Sequence, residues 1–245
     1  MRFVLTPESG DPIVLKADAE PVRIGWYIGE EGIEGWFGAP DPREDPVRRY
    51  GSDGDGWPTT ITYGSRTLSF DVIARFESTL ACALARDRVN SLAGQRVEIC
   101  GYDAAGPRSL MGYLSDDPEF ELTTDEQGML FTLTFVCPYP IKKGEEHEYL
   151  VETDYVTVCN AGNAPAWPRL VIDGPVESAS LTYDDHTVSW SGEAYGLTLD
   201  LFDDLSDIDG ITEDDAFSIM PGYHTINVAT EGECTAYIVM ADAWR

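Results

Sequence analysis

Basic side chains are scarce in this sequence: 16 Lys and Arg stand against 44 Asp and Glu in 245 residues, a formal charge of −28. The shortage is uneven, because residues 149–245 carry only Arg169 and Arg245 beside 18 acidic residues. Such a surface has little with which to grip phosphate, which argues against sequence-specific nucleic-acid binding and against attraction to anionic membranes. Long apolar runs are missing too. None approaches the roughly 18 residues a membrane span needs, and the opening stretch Met1–Thr6 is broken by Pro7 before it could form a signal-peptide core. No membrane insertion is expected, and the chain reads as a soluble protein made in the cytoplasm.

Motifs of chemistry are also lacking. The five cysteines, Cys82, Cys100, Cys137, Cys159 and Cys234, are odd in number, far apart and without a C-x-x-C pair, and read as reduced core thiols. His147, His186 and His224 are equally scattered, so no metal signature emerges. The acidic run from Asp200 to Asp215 fails as an EF-hand: with Gly210 as the central glycine, Leu205 and Ala216 fall where carboxylates are required. There is no phosphate-cradling G-x-x-x-x-G-K-[ST], no G-x-G-x-x-G opening a helix, and no G-x-S-x-G. No enzyme, cofactor or metal is expected.

What the sequence does hold is punctuation and aromatic residues. Twelve Tyr, nine Phe and six Trp among 23 Gly and 15 Pro favour many short strands. Leu68, Phe70, Val72, Ala74 and Phe76 alternate onto one face, as do Met129, Phe131, Leu133, Phe135 and Cys137, and these predict the best core strands. Shorter strands are expected at 2–5, 13–16, 21–28, 96–101, 110–114 and 119–123. One helix, capped by Ser78 or Thr79 and running to about Leu92, should present Leu80, Ala81, Leu84, Ala85 and Leu92 to the sheet. A Gly-, Pro-, Asp- and Arg-rich loop fills 30–58. Such length with aromatic tips reaches toward a partner more often than it closes a compact domain. Trp36, Arg43, Arg48 and Arg49 are its candidate subunit-interface residues, the arginines facing an acidic neighbour.

The first domain, 1–140, ends in Cys137-Pro138-Tyr139-Pro140, and a charged stretch makes 141–153 a connector. The second domain, 154–245, is read as a β-sandwich with strands near 154–159, 168–173, 178–183, 187–190, 195–200, 216–220, 223–228 and 234–240 and no helix. It opens at Asn160-Ala161-Gly162-Asn163-Ala164-Pro165, where Asn and Gly tolerate positive φ and proline withholds a donor, so the chain must turn.

Several of these features recur in one order: Gly35-Trp36 in an early loop, the strand ending Arg75-Phe76, the helix, the Cys-Pro-Tyr-Pro close, the Asn160–Pro175 corner, and Met220-Pro221-Gly222-Tyr223-His224-Thr225-Ile226. Together they resemble the distal tail proteins of siphophages, whose late turn reads L-x-P-G-x-N-x-I. Met220 and His224 depart from it at the Leu and Asn places. The resemblance implies a mainly β fold, with an N-terminal split β-barrel related to tail-tube proteins and a C-terminal galectin-like sandwich. It further implies a homohexameric ring joining the tail tube protein to the tail-tip protein and adsorption apparatus at the virion tail tip, with the excess acid able to line a lumen that DNA passes without adhering. The competing reading is a carbohydrate-binding adhesin that presents Trp167, Trp190 and Tyr195 as sugar platforms.

Overall fold

The computed structural model describes residues 1–17, 24–51 and 53–245. It divides the chain into two compact units, Met1–Lys142 with Arg245, and Lys143–Trp244. Both are built from strands, and the described residues contain a single α-helix.

The first unit contains β1 (Arg2–Pro7), β2 (Ile13–Lys16), β3 (Gly25–Glu34), β4 (Val47–Arg48), β5 (Asp55–Gly56), β6 (Arg66–Arg75), α1 (Thr79–Asn90), β7 (Val97–Asp103), β8 (Gly106–Leu114), β9 (Glu121–Leu122) and β10 (Gly128–Cys137). Seven of them close a barrel in the order β8, β7, β1, β2, β3, β6, β10, with β10 returning to β8 through Phe135↔Leu114 and Val136↔Tyr113. All neighbours around it are antiparallel except β2 and β3, where Leu15 lies opposite Trp26. Residues 21–23 of the strand expected at 21–28 lie outside the described residues, and β3 continues to Glu34.

The two alternating sequences supply the barrel's centre. In the β6–β10 register Leu68, Phe70, Val72 and Ala74 sit opposite Phe135, Leu133, Phe131 and Met129, and all eight are buried. Phe3, Leu5, Leu15, Val97 and Ile99 complete the core from the other wall. Since a one-residue slip would turn every one of these side chains to solvent, the pattern itself fixes the register.

Helix α1 begins where Ser78 Oγ accepts from the Ala81 amide at 3.1 Å. Its buried face is not the one the leucines suggest. Cys82, Ala85 and Val89 face the core, with Leu92 just beyond the helix, whereas Leu80 and Leu84 are exposed. Small Cys82 and Ala85 let the helix axis approach the barrel, and Arg88 is held by donating to the Pro12 carbonyl. Both fix the rotation against the larger leucines.

The second unit contains β11 (Lys142–Leu150, whose first residue belongs to the first unit), β12 (Tyr155–Asn160), β13 (Arg169–Tyr183), β14 (His186–Asp200), a 3-10 turn at Leu205–Asp207, β15 (Ile211–Asp214), β16 (Gly222–Glu231) and β17 (Thr235–Trp244). The stretch expected to be a connector, 141–153, is thus largely strand β11, which pairs with β17. Its charges alternate with Gly144, His147 and Tyr149, which are half-buried, so the segment is an amphipathic strand, not a spacer. Tyr149 spans to β12, where its hydroxyl donates to the Cys159 carbonyl at 3.1 Å and accepts from the Cys159 amide at 3.2 Å.

Strands β13 and β14 are each one 15-residue strand where two were expected. The Gly174-Pro175 dipeptide bends β13 without ending it. Arg169–Asp173 pairs with β17, Ser178–Thr182 pairs with β16, and the register shifts between Ile172/Pro175 and Val176/Ser178 mark the bulges at which partners change. Gly174 holds φ near +104°, a region that penalises any side chain.

At the opening corner of the second unit Asn160 is buried, and each of its side-chain heteroatoms is used. Nδ2 donates to the carbonyls of Ala164 (2.8 Å) and Ile219 (3.1 Å), and Oδ1 accepts from the amides of Gly162 (3.0 Å) and Ala243 (3.3 Å). A Cβ on Gly162 would strike the Ala243 carbonyl. Asn160→Ala strands buried backbone groups and should cost about 2 kcal/mol or more, and Gly162→Ala about 1–3 kcal/mol. Urea unfolding of the second unit is the measurement. An unchanged midpoint in both variants would show that the corner carries no stability.

Candidate functional site

The strand β6 begins with a charge on its inward face. Arg66 alternates in phase with Leu68, Phe70 and Val72, so the pleat points its guanidinium into the end of the barrel, where it is 4% exposed. There Nε donates to the Pro140 carbonyl at 3.0 Å, and Nη1 donates to the carbonyls of Gly35 (2.6 Å) and Gly38 (2.8 Å). Nη2 is buried without a hydrogen-bond partner. Lys142, 3% exposed, donates from Nζ to the Trp36 carbonyl at 2.7 Å and lies 5.3 Å from the Trp36 ring centroid.

These two cations hold backbone carbonyls, and their electrostatics show it. Burial lowers Lys142 from 10.5 to about 8, with the charges of Arg66 and Arg108 adding to the effect. Burial lowers Arg66 as well, and raises the neighbouring Cys137 thiol to about 11. That thiol is structural and stays protonated at neutral pH.

What the cations hold is the root of an arm. Gly35, at φ +79°, turns the chain out of β3, and a Cβ there would strike the Thr67 carbonyl. Trp36 then folds inward, 3% exposed, with its ring edge-on to Phe3 at 4.9 Å and so close to β7 that only glycine fits at 101. This corrects the expectation that Trp36 is an interface residue at a loop tip. It is the arm's anchor, and Phe37, next in sequence, is the exposed aromatic.

Beyond the anchor the arm is self-supporting. The Arg43 amide donates to the Thr62 carbonyl and the Gly64 amide to the Asp41 carbonyl, both at 2.9 Å, around a Pro42↔Tyr63 bridge. Glu44 accepts from the Thr62 hydroxyl and from its amide at 2.7 Å, and these bonds draw its carboxyl below the usual range. Farther out Val47↔Gly56 and Arg48↔Asp55 form the β4–β5 hairpin. Its surface is apolar for so acidic a protein: Tyr50 is 90% exposed and Trp57 85%, with Val47 and Ile61 about half exposed. Pro42, Pro46, Trp57, Pro58 and Ile61 line most of a groove of about 320 Å³. Arg43, Arg48 and Arg49 are all exposed beside it.

A second concavity of about 610 Å³ lies elsewhere on the same unit. Asp71 of β6, Asp116, Asp117, Glu119 and Glu121 surround a floor formed by the outward side of β10, where Leu130, Thr132 and Thr134 alternate with side chains of the barrel core. Glu119 and Glu121 carry no distinguishing sequence context, and their convergence with Asp71 follows from the β6–β10–β9 pairing. Among the described residues no group of three or more His, Cys, Asp or Glu is arranged to hold a metal ion.

In the second unit the expected sugar platforms do not come together. Trp190 is buried, donating from Nε1 to the Asp209 carbonyl at 2.8 Å, and offers no stacking face. Trp167 is half-buried edge-on to Phe202, and Tyr195 is 88% exposed. The acidic run shapes turns: Asp204 accepts from the Ser206 amide, Asp200 from the Phe202 amide, and Asp215 lies 3.0 Å from His186. His224, at the Asn place of the late turn, bonds the Tyr183 hydroxyl through Nδ1 at 2.9 Å.

No protein-family model matches this chain, and no curated protein matches it in sequence. Solved structures do. The crystal structure of the SPP1 Dit protein, described as a paradigm of the hub adsorption apparatus in Gram-positive infecting phages, is similar over 99% of both chains, with 16% identity and a TM-score of 0.64. The phage p2 baseplate in its activated conformation is similar over 98% of both chains, with 10% identity and a TM-score of 0.56 in the structure with Ca, and 11% and 0.54 in that with Sr. These likenesses establish that the chain has the fold of a phage Dit protein throughout its length.

The Lys142 environment generates a pH signature. Between about 8 and 10.5 the unfolded chain binds more protons at this amine than the folded one, so stability rises with pH across that window. The slope from one such group is at most about 1.4 kcal/mol per pH unit. Unfolding of wild type and Lys142→Met, followed across the window, should show their stability difference shift by that sense and size. A constant difference would mean that Lys142 is not held in a desolvated site.

Proposed function

We propose that this chain is a structural virion protein of a long-tailed phage, a distal tail protein that forms a ring-shaped hub between the tail tube and the tail tip. The observation that carries the reading is the match of fold over 99% of the chain to the SPP1 Dit protein, so both units are accounted for, not one recurrent module. In this reading the first unit is the ring-forming barrel and the second a galectin-like sandwich, and six copies close the ring. The partners are a second copy of the chain, the tail tube protein and the tail-tip protein. The protein resides in the virion tail tip and is assembled in the host cytoplasm.

The chemistry of the surface supports the same role. A hub needs adhesion between protein surfaces, not catalysis, and the first unit's most exposed aromatic residues sit on a braced arm. Excess carboxylate around a lumen would repel the phosphates of DNA in transit and keep it from sticking. Heterologous contacts that close by rotation generate rings, which is how one chain continues a hollow tube.

Negative-stain imaging of the purified protein should show closed six-membered rings, and light scattering should report the matching mass. Six chains at −28 each repel over long range, so ring formation should strengthen as salt rises and the Debye length falls to about 8 Å near 0.15 M. A monomer at every concentration and salt would overturn the ring for the isolated protein. Rings that dissociate as salt rises would show that local ion pairs outweigh net repulsion.

A further inference from the structure

We propose that the end of the barrel binds one small inorganic anion, of the chloride class, between the guanidinium of Arg66 and the ammonium of Lys142. The inference is independent of the hub reading, since it concerns only the charge balance inside the first unit.

Arg66 and Lys142 are the two buried basic side chains among the described residues, and they meet at one atom. Nη1 of Arg66 lies 3.4 Å and Nζ of Lys142 2.7 Å from the Trp36 carbonyl oxygen. Neutral carbonyls accept hydrogen bonds but supply no counter-charge. Among the described residues neither cation takes part in an ion pair. Arg108 of β8 adds a third positive charge acting on Lys142, and the opposing influence is Asp103 of β7, an exposed carboxylate that already accepts from the Ala105 amide at 2.7 Å. A chain with 44 acidic and 16 basic side chains thus gathers a local excess of positive charge inside its barrel end. Buried charges are paired as a rule, because the solvation each one loses must be replaced.

The donors lead to the same conclusion independently. A guanidinium carries five N–H groups, of which those on Nε and Nη1 go to the carbonyls of residues 35, 38 and 140, while Nη2 is buried without a partner. An ammonium carries three, and the Trp36 carbonyl takes one of them. A single negative charge seated between the two groups completes both the hydrogen bonds and the charge balance. A water molecule would accept from Nη2 but leave the charges uncompensated. The occupant is small because both cations are closed off from solvent, which keeps out the side chains of other proteins, and a polyvalent oxyanion would lose far more hydration on entry. The approach is from the side of Gly38, an exposed residue whose carbonyl holds Nη1 and which has nothing within 4 Å of the place where a side chain would begin.

Sodium chloride compared with sodium isethionate at equal ionic strength separates binding from screening. In urea unfolding of the full chain, chloride should favour the folded state, and once the site is saturated each tenfold rise in chloride should lower the unfolding constant about tenfold relative to isethionate. The chloride effect should shrink as pH rises through about 8, where Lys142 loses its charge, whereas Cys137 beside Arg66 is raised to about 11 and stays neutral there. It should vanish in Arg66→Met and in Lys142→Met. If those variants do not fold, crystals of the wild-type chain grown with sodium bromide decide the point, with an anomalous peak expected within hydrogen-bonding distance of Arg66 Nη2 and Lys142 Nζ. Equal stability in the two salts, a chloride effect that survives Arg66→Met, or a barrel end that holds water and no bromide would each overturn the proposal. A bromide peak without any effect of chloride on stability would mark an adventitious ion only, and would overturn it too.

Discussion

Two positive charges are buried at the end of the barrel, and the polar groups that hold them are backbone carbonyls. Bringing a guanidinium and an ammonium out of water costs several kcal/mol each, so Arg66 and Lys142 are tolerated only while the carbonyls of residues 35, 36, 38 and 140 remain aimed at them. The dependence is mutual. Those carbonyls belong to a turn and to the segment leaving the barrel, neither of which has a strand partner there, and unsatisfied buried carbonyls are costly in their own right. One polar knot therefore fixes where the arm starts and where the chain leaves β10. The direction of the arm is thus a property of the core, although the arm itself lies outside it.

How much of this was legible depends on whether the signal was local. Alternation at 68–76 and 129–137 is a two-residue period, and the structure pairs those strands face to face over their whole length. Arg66 was legible by the same arithmetic, because stepping back two residues from Leu68 lands on it, but a charge at that position reads as the end of a strand. Helix α1 shows the opposite failure. Hydrophobicity nominated Leu80 and Leu84, whereas closeness of approach selected Cys82 and Ala85, and side-chain size against a curved wall is invisible in a one-dimensional pattern.

The longer misreadings share a cause. Gly174-Pro175 has the composition of a turn, and it does bend the backbone, yet β13 continues because its two halves find different partners, β17 and β16. Whether a bend terminates a strand is decided by residues some sixty positions away. Charged β11 read as a linker for the same reason, since its pairing with β17 joins nearly opposite ends of the unit's sequence. Of the four interface candidates, Arg48 and Arg49 lie on the exposed hairpin, Arg43 lies exposed on the stalk below it, and Trp36 is buried at the arm's root. A tryptophan in a glycine-rich loop gives no local sign of which way it will turn, and the opening that receives it is made by Gly101 on another strand.

The phenol of Tyr149 has a consequence for how such a protein survives crowding. Strand β12 closes one end of its sheet order, and a terminal strand is a template on which foreign chains can extend a sheet. At Cys159 both template groups, amide and carbonyl, are already occupied by a single hydroxyl. An incoming strand would have to evict a tethered competitor before forming its first rung. The backbone at this position is thereby closed to indiscriminate sheet extension, while the side-chain surface of the strand stays open.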